Sequence, residues 1–363
     1  KAQEKPLSQF MIALRKVRKN RMAVGCGVVL FLLYTAAIFA DFLSPYSFKN
    51  EDRSYSFCPP MKIEILDDNR KPGLFVHGYH FKFDEFHKRV YEMDKDKKYP
   101  LRFFVQGDSY KLLGLWKCRW HLFGVEAPGR IHLWGADSRG RDLFSRILYG
   151  GRISLSIGVV AILISFSIGL WVGGIAGYYG GTIDNVLMRV CEVVMIVPGF
   201  YLMLALRAAF PENLSSLEVY LWLVLIFSFI GWASLARIIR GMSISLKERE
   251  YVLAAKAMGL SDFAIIIKHI LPHTLSYSII AVMLSIPGYI LGESALSLLG
   301  LGIQDPYASW GNLLSEAMGI LHIQFAPWIL LPGLFIFLTV ICFNVVGDAL
   351  RDCLDPMLKE GKL

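Results

Sequence analysis

Ionisable side chains are scarce in the apolar parts of this chain, so the few found there are the first candidates for chemistry. Glu293 and Ser294 directly follow an uncharged run ending at Gly292, and Glu192 lies three residues after Arg189 in another apolar stretch. An acid at mid-bilayer costs about 2.5–3.5 kcal/mol on insertion scales, so Glu293 must face the bundle interior or a water-filled path. It therefore either lines a translocation path, with Ser294 and Glu192 as companions, or is a structural acid bonding backbone freed near Gly292. Glu192 and Arg189, at i and i+3, also fit a packing pair. His77-x2-His80, with Asp84 and His87, offers nitrogen and oxygen ligands. That spacing suits no standard metal site, and no metal is expected. Arg139, Arg141, Arg146 and Arg152 could steady lipid headgroups or a partner. The chain has no G-x-x-x-x-G-K-[ST] phosphate loop, C-x-x-C pair, H-E-x-x-H or G-x-S-x-G. No catalytic residue is assigned, and energy for any work must come from a partner or an ion gradient.

The elements that must position these groups follow from hydropathy. The 363 residues are 55% hydrophobic with a mean hydropathy of +0.46, too apolar for an ordinary soluble protein. Met22–Ala40, Ile153–Ile183, Val219–Ala236, His269–Gly292 and Ala317–Gly347 are uncharged, and each can cross a bilayer core at 1.5 Å per residue. A sixth span, Val186–Leu206, carries Arg189 and Glu192. The expected fold is an all-α transmembrane bundle of six helices, with a small β-rich extracytoplasmic insertion between helices 1 and 2. Glycines at 158, 169, 173, 174 and 177 suit close helix approach in lipid. Prolines 198, 287 and 332 are expected to interrupt the third, fifth and sixth spans. The chain lacks the internal repeat that secondary transporters use.

Lys and Arg orient the bundle. Arg15, Lys16, Arg18, Lys19 and Arg21 precede the first span, and the 237–273 loop carries Arg237, Arg240, Lys247, Arg249, Lys256 and Lys268. No Lys or Arg occurs from His269 to Leu350, and Arg351 follows the last span at once. By the positive-inside rule both termini are cytoplasmic. The net charge of +8 then meets anionic lipid, with no nucleic acid needed. The first span reads as a retained anchor, since it lacks a small-residue cleavage site.

The domains expected are a cytoplasmic basic tail (1–21, a candidate amphipathic helix with Phe10, Ile12, Leu14 and Val17), helix 1 (22–40) and an extracytoplasmic segment (41–150). A five-helix core (151–347) with the cytoplasmic loop 237–273 and a cytoplasmic tail (348–363) complete the chain. Alternating patches at Lys62–Leu66, Tyr79–Phe83, Leu101–Val105 and Arg130–Trp134 suggest short strands. Cys58 and Cys118, alone in that segment, either form a disulfide or remain free thiols.

Within the 237–273 loop, Ser243–Met258 is free of Pro and Gly and can be helical. Gly259 supplies a stop, and Ser261 caps a second helix. Two short helices at an angle make a protruding knob, slimmed by Ala254 and Ala255. Pro272 is expected to break the helix between His269 and His273. The knob is either a linker or a plug for a partner's cleft.

Ala254, Ala255, Gly259, Leu271 and Pro272 resemble the docking loop of ABC importer permeases, E-A-A-x3-G-x9-I-x-L-P, with Leu253 in place of its Glu and His269 in place of its Ile. Gly135-Ala136-Asp137-Ser138-Arg139-Gly140-Arg141-Asp142 is similar to the segment leading into the core of oligopeptide, dipeptide and nickel permeases. Glu293 to Gly302, then Pro306, Trp310, Gly311 and Asn312, resembles that subfamily's outer loop, and Gly347 to Asp352 with Leu354-Asp355-Pro356 its C-terminal signature. The resemblance is close over 135–356 and leaves most of 41–134 uncovered.

It implies the C-type permease subunit of an oligopeptide, dipeptide or nickel importer in the bacterial inner membrane, a multi-pass pore subunit and not an enzyme. Its partners would be a homologous second permease, two ATP-binding subunits, an extracytoplasmic substrate-binding protein and the lipid bilayer. ATP and Mg would sit on the partner ATPases, with no cofactor in this chain. Lys247, Arg249, Glu250, Tyr251, Ala254, Ala255, Met258, Gly259, Leu271 and Pro272 would couple to the ATPases. The alternatives are an ion-coupled secondary transporter, for which Glu192 and Glu293 are few, and a receptor, for which no effector domain is seen.

Overall fold

The computed structural model describes residues 17–66, 72–85, 89–112, 114–211 and 214–354. The expectations for Phe10, Ile12, Leu14, His87 and the tail from Asp355 lie outside the described residues. Two compact units are formed. The first comprises Lys1–Leu30, Ile157–Gly292 and Leu338–Leu363, and the second comprises Phe31–Ser156 and Glu293–Phe337.

The long helices are α1 (Arg21–Ile38), α3 (Leu143–Tyr179), α6 (Ser216–Lys247), α9 (Leu271–Leu298) and α12 (Leu331–Leu354). Between and beside them run α2 (Ala40–Leu43), α4 (Gly181–Ile196), α5 (Gly199–Ala208), α7 (Glu250–Ala257), α8 (Asp262–Ile265), α10 (Trp310–Ser315) and α11 (Ile320–Phe325). Among the described residues five helical runs are long and apolar enough to cross a membrane, and α4 with α5 makes a sixth candidate. That pair is bent by 82°, so the continuous third span expected over 186–206 is corrected to two helices. Pro198 is the cause. It drives Val197 into extended backbone, with ψ at 123°, where a helix cannot continue.

The other prolines behave differently from expectation. Pro287 lies inside the continuous α9, and Pro332 falls in the first turn of α12, within the helical run Pro327–Cys353. Pro272 breaks nothing either. It occupies the first turn of α9, and the π-helical turn Ile266–Ile270 before it carries the helical run on from α8. Helix ends also depart from the hydropathy runs. The α3 helix begins at Leu143, ahead of Ile153, and α6 extends through the first part of the expected 237–273 loop. Residues 317–326, expected in the last span, instead form short turns and α11 before Pro327.

In the first unit, Gly169, Gly173 and Gly177 lie at intervals of four along α3 and face α6. A Cβ would meet the carbonyl of Trp232 at 2.9 Å from Gly169 and that of Arg240 at 2.6 Å from Gly177, and the Ala236 carbonyl closes on Gly173. Only glycine lets these backbones touch. Around the seam, Trp232, Ala233, Ala236 and Cys191 pack with Val172 and Met188, and Leu235, Ile239, Ile266 and Leu271 pack with Leu170 and Ile175.

In the second unit, β1 (Glu64–Leu66), β2 (Pro72–Phe83), β3 (Arg89–Leu112) and β4 (Trp116–Val125) form an antiparallel sheet in chain order. The strand β3 pairs with β2 up to Pro100 and then with β4 from Leu101; the strands expected at Tyr79–Phe83 and Leu101–Val105 are segments of longer ones, and that at Lys62–Leu66 is the shorter β1. Arg130–Trp134 is not a strand. Its alternation records loop burial: Ile131 is wholly buried and its amide donates to the Tyr46 hydroxyl at 2.8 Å.

Candidate functional site

The segment between α6 and α9 is built from local rules. Lys247 ends α6, Arg249 starts α7 from extended backbone, and Ala257 ends it. Gly259 has φ of +82°. Its amide donates to the Lys256 carbonyl at 3.0 Å, and the Leu260 amide donates to the Ala255 carbonyl at 3.2 Å. This pair of bonds, closed by Leu260 packing near Ala255, is the Schellman arrangement that needs a left-handed residue after the helix. The Ser261 hydroxyl then accepts the Ala264 amide at 3.4 Å and caps α8.

The two helices share a small core of Val252, Ala255, Ile265 and Ile270, backed by Tyr178 and Leu246. The Tyr178 hydroxyl donates to Asp262 at 2.6 Å. The alanines divide between faces. Ala255 is buried and lets α7 approach α8, whereas Ala254 points outward beside Glu250, Tyr251 and Leu253. Met258 and Phe263 stand 74% and 60% exposed. Gly259 faces open space. Of the other residues expected here, Arg249 and Pro272 are exposed, Lys247 is half-buried and Leu271 is buried under α3. The Tyr251 ring lies 6.4 Å from His269 and 5.2 Å from His273. Sequence reasoning missed one member nearby. Asp184 on α4 takes two bonds from the Arg240 guanidinium on α6, one at 2.9 Å.

The second unit holds a buried ionic cluster. Asp137 accepts from Arg141 Nε and Arg146 Nη1, each at 2.6 Å, and from the Arg139 and Arg141 amides, each at 2.9 Å. Asp305 takes Arg141 at 3.0 Å and Arg146 at 2.9 Å, and Glu316 holds Ser138 through its hydroxyl and amide. Burial drives the Asp137 carboxyl pKa upward, opposed by the Arg141 guanidinium and the amides of Arg141 and Arg139. Arg141 and Arg146 are therefore internal ties, where lipid or partner contact was expected. Arg139 alone of the three reaches the surface, bonding Glu51 at 3.1 Å. Arg152 bonds the last carbonyls of α1, Ala37 at 2.6 Å and Ile38 at 2.8 Å, together with Asp41 at 2.6 Å.

Glu293 has no exposed surface. Its carboxylate accepts from Ser154 at 3.1 Å and Ser297 at 2.7 Å, and the Ser154 hydroxyl also receives the Trp310 amide at 3.0 Å. These partners are serine hydroxyls, not the backbone groups near Gly292 that the structural reading named. Ser294 is buried beside it. Glu192 bonds Arg189 at 2.7 Å on an exposed side of α4.

Cys58 and Cys118 are free thiols. Cys58 is enclosed by Met61, Ala136 and Tyr55, and burial pushes its thiol up to about 12. Cys118 stands opposite Tyr110 on β4, whose hydroxyl lowers its pKa. A membrane-intact maleimide assay should label Cys118 and spare Cys58. Protection of both until a reductant is added would instead require the disulfide. His77 is buried against the Phe75 ring, and His80 lies in the open beside Glu92 at 3.5 Å.

With this geometry in view, known proteins can be compared. The family described as binding-protein-dependent transport system inner membrane component matches residues 169–360. The N-terminal TM domain of oligopeptide transport permease C matches residues 8–60. The dipeptide transport system permease protein DppC of Bacillus subtilis is 43% identical over 235 residues, covering 64% of this chain and 71% of its own. The oligopeptide transport system permease protein OppC of Haemophilus influenzae is 44% identical, covering 62% and 70%. The glutathione transport system permease protein GsiD of Pectobacterium atrosepticum is 42% identical, covering 65% and 76%.

Proposed function

Because this chain belongs to the family of binding-protein-dependent transport system inner membrane components, we propose that it forms half of the translocation path of an ATP-driven importer of oligopeptides or dipeptides. The named relatives carry dipeptides, oligopeptides and glutathione, and all three are short peptides. The other half comes from a homologous second permease. Two ATP-binding subunits, which hold ATP and Mg, grip the Lys247–Pro272 segment, and a substrate-binding protein delivers cargo on the opposite side. Both termini and this segment face the cytoplasm, and residues 41–150 face outward, as the Lys/Arg distribution supports.

The observation that carries the docking reading is the α7–Gly259–α8 knob. Its core is satisfied internally, and it leaves Tyr251, Leu253, Met258 and Phe263 uncovered. When the ATPases close on ATP, force on such a knob passes to α6 and α9 through Val252, Ala255, Ile265 and Ile270, with the Asp184–Arg240 bond bracing α6. Access then switches across the bilayer. The ion-coupled alternative is not favoured: the family works with a binding protein, and Glu293 is occupied by serine hydroxyls.

Gentle purification of the tagged chain from its native membrane, with mass spectrometry of the companions, tests this reading. Recovery of a second permease and of phosphate-loop ATPases is expected. In Gly259→Asp a charge enters the open face at a backbone that Asp tolerates, so ATPase recovery should drop by about tenfold or more, the equivalent of 1.4 kcal/mol. Gly259→Asn keeps a residue that tolerates this backbone and so isolates the surface from the turn. A solitary chain, or ATPase recovery and transport untouched by Gly259→Asp, would sink the reading.

A further inference from the structure

The hairpin between β3 and β4 ends in residues that an ordinary soluble loop does not present. Lys111 pairs with Lys117 and Leu112 with Trp116 across the ladder, and Leu115 and Trp116 stand 72% and 63% exposed at the tip. Two lysines directly opposite each other repel, and among the described residues neither meets a carboxylate. The pair therefore asks for an anion from elsewhere, while the tip asks for an apolar medium.

The hairpin's position supplies both. Lys111 and Gly114 line a cavity of about 420 Å³ together with Tyr34, Ile38, Arg152 and Leu155. Tyr34 lies four residues inside the end of the α1 span, about 6 Å at 1.5 Å per residue. Arg152 and Asp41 cap that same end, which marks the level where hydrocarbon gives way to headgroups. A tip at this depth with Trp, Leu and flanking Lys has the composition of interfacial anchors, in which an amphipathic ring sits at headgroup level and cations meet phosphates.

We propose that the β3–β4 hairpin is a bilayer anchor. Leu115 and Trp116 enter the leaflet at the Ile38 end of α1, and lipid phosphates sit between Lys111 and Lys117. The inference rests on the bilayer-spanning reading of α1 and α3. It gives the inserted sheet a fixed footing on the membrane.

The test places p-benzoylphenylalanine at position 115 of the full chain in its native membrane. Position 31, exposed on α1, and position 83, exposed at the far end of β3's other ladder, serve as references. After illumination, intact-protein mass spectrometry should show the mass of one phospholipid added at 31 and 115, and none at 83. Lipid at 31 without lipid at 115, a protein adduct at 115, or equal lipid at 83 would overturn the anchor and leave the permease reading intact. Absence at 31 as well would remove the bilayer reading beneath it. A second measurement avoids the photoprobe: the emission lost in Trp116→Phe should be quenched when vesicles carry bromine near the headgroups. An unquenched component overturns the proposal.

Discussion

Replacing Asp137 by Ala should remove most of the folded chain from the membrane. The substitution strands the Arg141 and Arg146 guanidiniums, which are 1% and 2% exposed, and frees the Arg139 and Arg141 amides that Asp137 accepts. Removing one partner of a buried ion pair costs about 3–5 kcal/mol, set against a total stability of roughly 5–15 kcal/mol for a typical domain. Asp305 still faces both arginines, so the loss should be severe without being complete in detergent at low temperature. Asp137→Asn, which keeps an acceptor and gives up the charge, should fall between. Arg139→Ala is the contrast. That side chain is 49% exposed, and surface pairs contribute about 0–1 kcal/mol. Thermal scans of the purified proteins, read by the amount remaining monodisperse, decide the matter. Equal midpoints for Asp137→Ala and Arg139→Ala would mean that the cluster does not hold this part of the chain together.

The second large effect belongs to the α3–α6 seam. Gly173→Ala should destabilise the chain and abolish transport, because the new methyl meets the Ala236 carbonyl, the Ile239 Cβ at 2.7 Å and the Arg240 amide at 3.0 Å. Two of those three are backbone and cannot turn aside, so the helices must separate. Overpacking of this sort costs about 1–3 kcal/mol. It would also displace Arg240 from Asp184. Gly174→Ala, one residue on, meets chiefly the Leu271 side chain, which can rotate, and should be milder. Gly241→Ala opens onto empty space and should be neutral or slightly stabilising, since alanine favours a helix by about 0.8–1.0 kcal/mol. Matching midpoints for the variants at 173 and 241 would refute the close approach.

Several features were legible because their causes are local or compositional. Runs of uncharged residues locate the five long helices, since hydrocarbon tolerates little else. Gly259 and Ser261 announced the helix stop and the next cap, because a left-handed turn and an N-cap each depend on a residue or two. Motif spacing pointed to the permease family with which the comparisons agree. Hydropathy could not place helix ends. The α3 helix starts among Arg146 and its neighbours, whose charges vanish into partners more than 150 residues away at Asp305, and a window average sees only the charge.

The sequence by itself thus determined the class of protein, the approximate spans and the turn chemistry of the Lys247–Pro272 segment, all of which rest on neighbours in the chain. Tertiary structure alone decided which side of each residue matters. It put Ala255 inside and Ala254 outside, joined Asp137 to Asp305 through two shared arginines, brought Ser154 of α3 onto Glu293 of α9 and carried a helical run through Pro272 by widening the turn before it. Burial, pairing and backbone accommodation are sums over groups brought together by folding, and no residue carries that information in its own type or in its immediate neighbours.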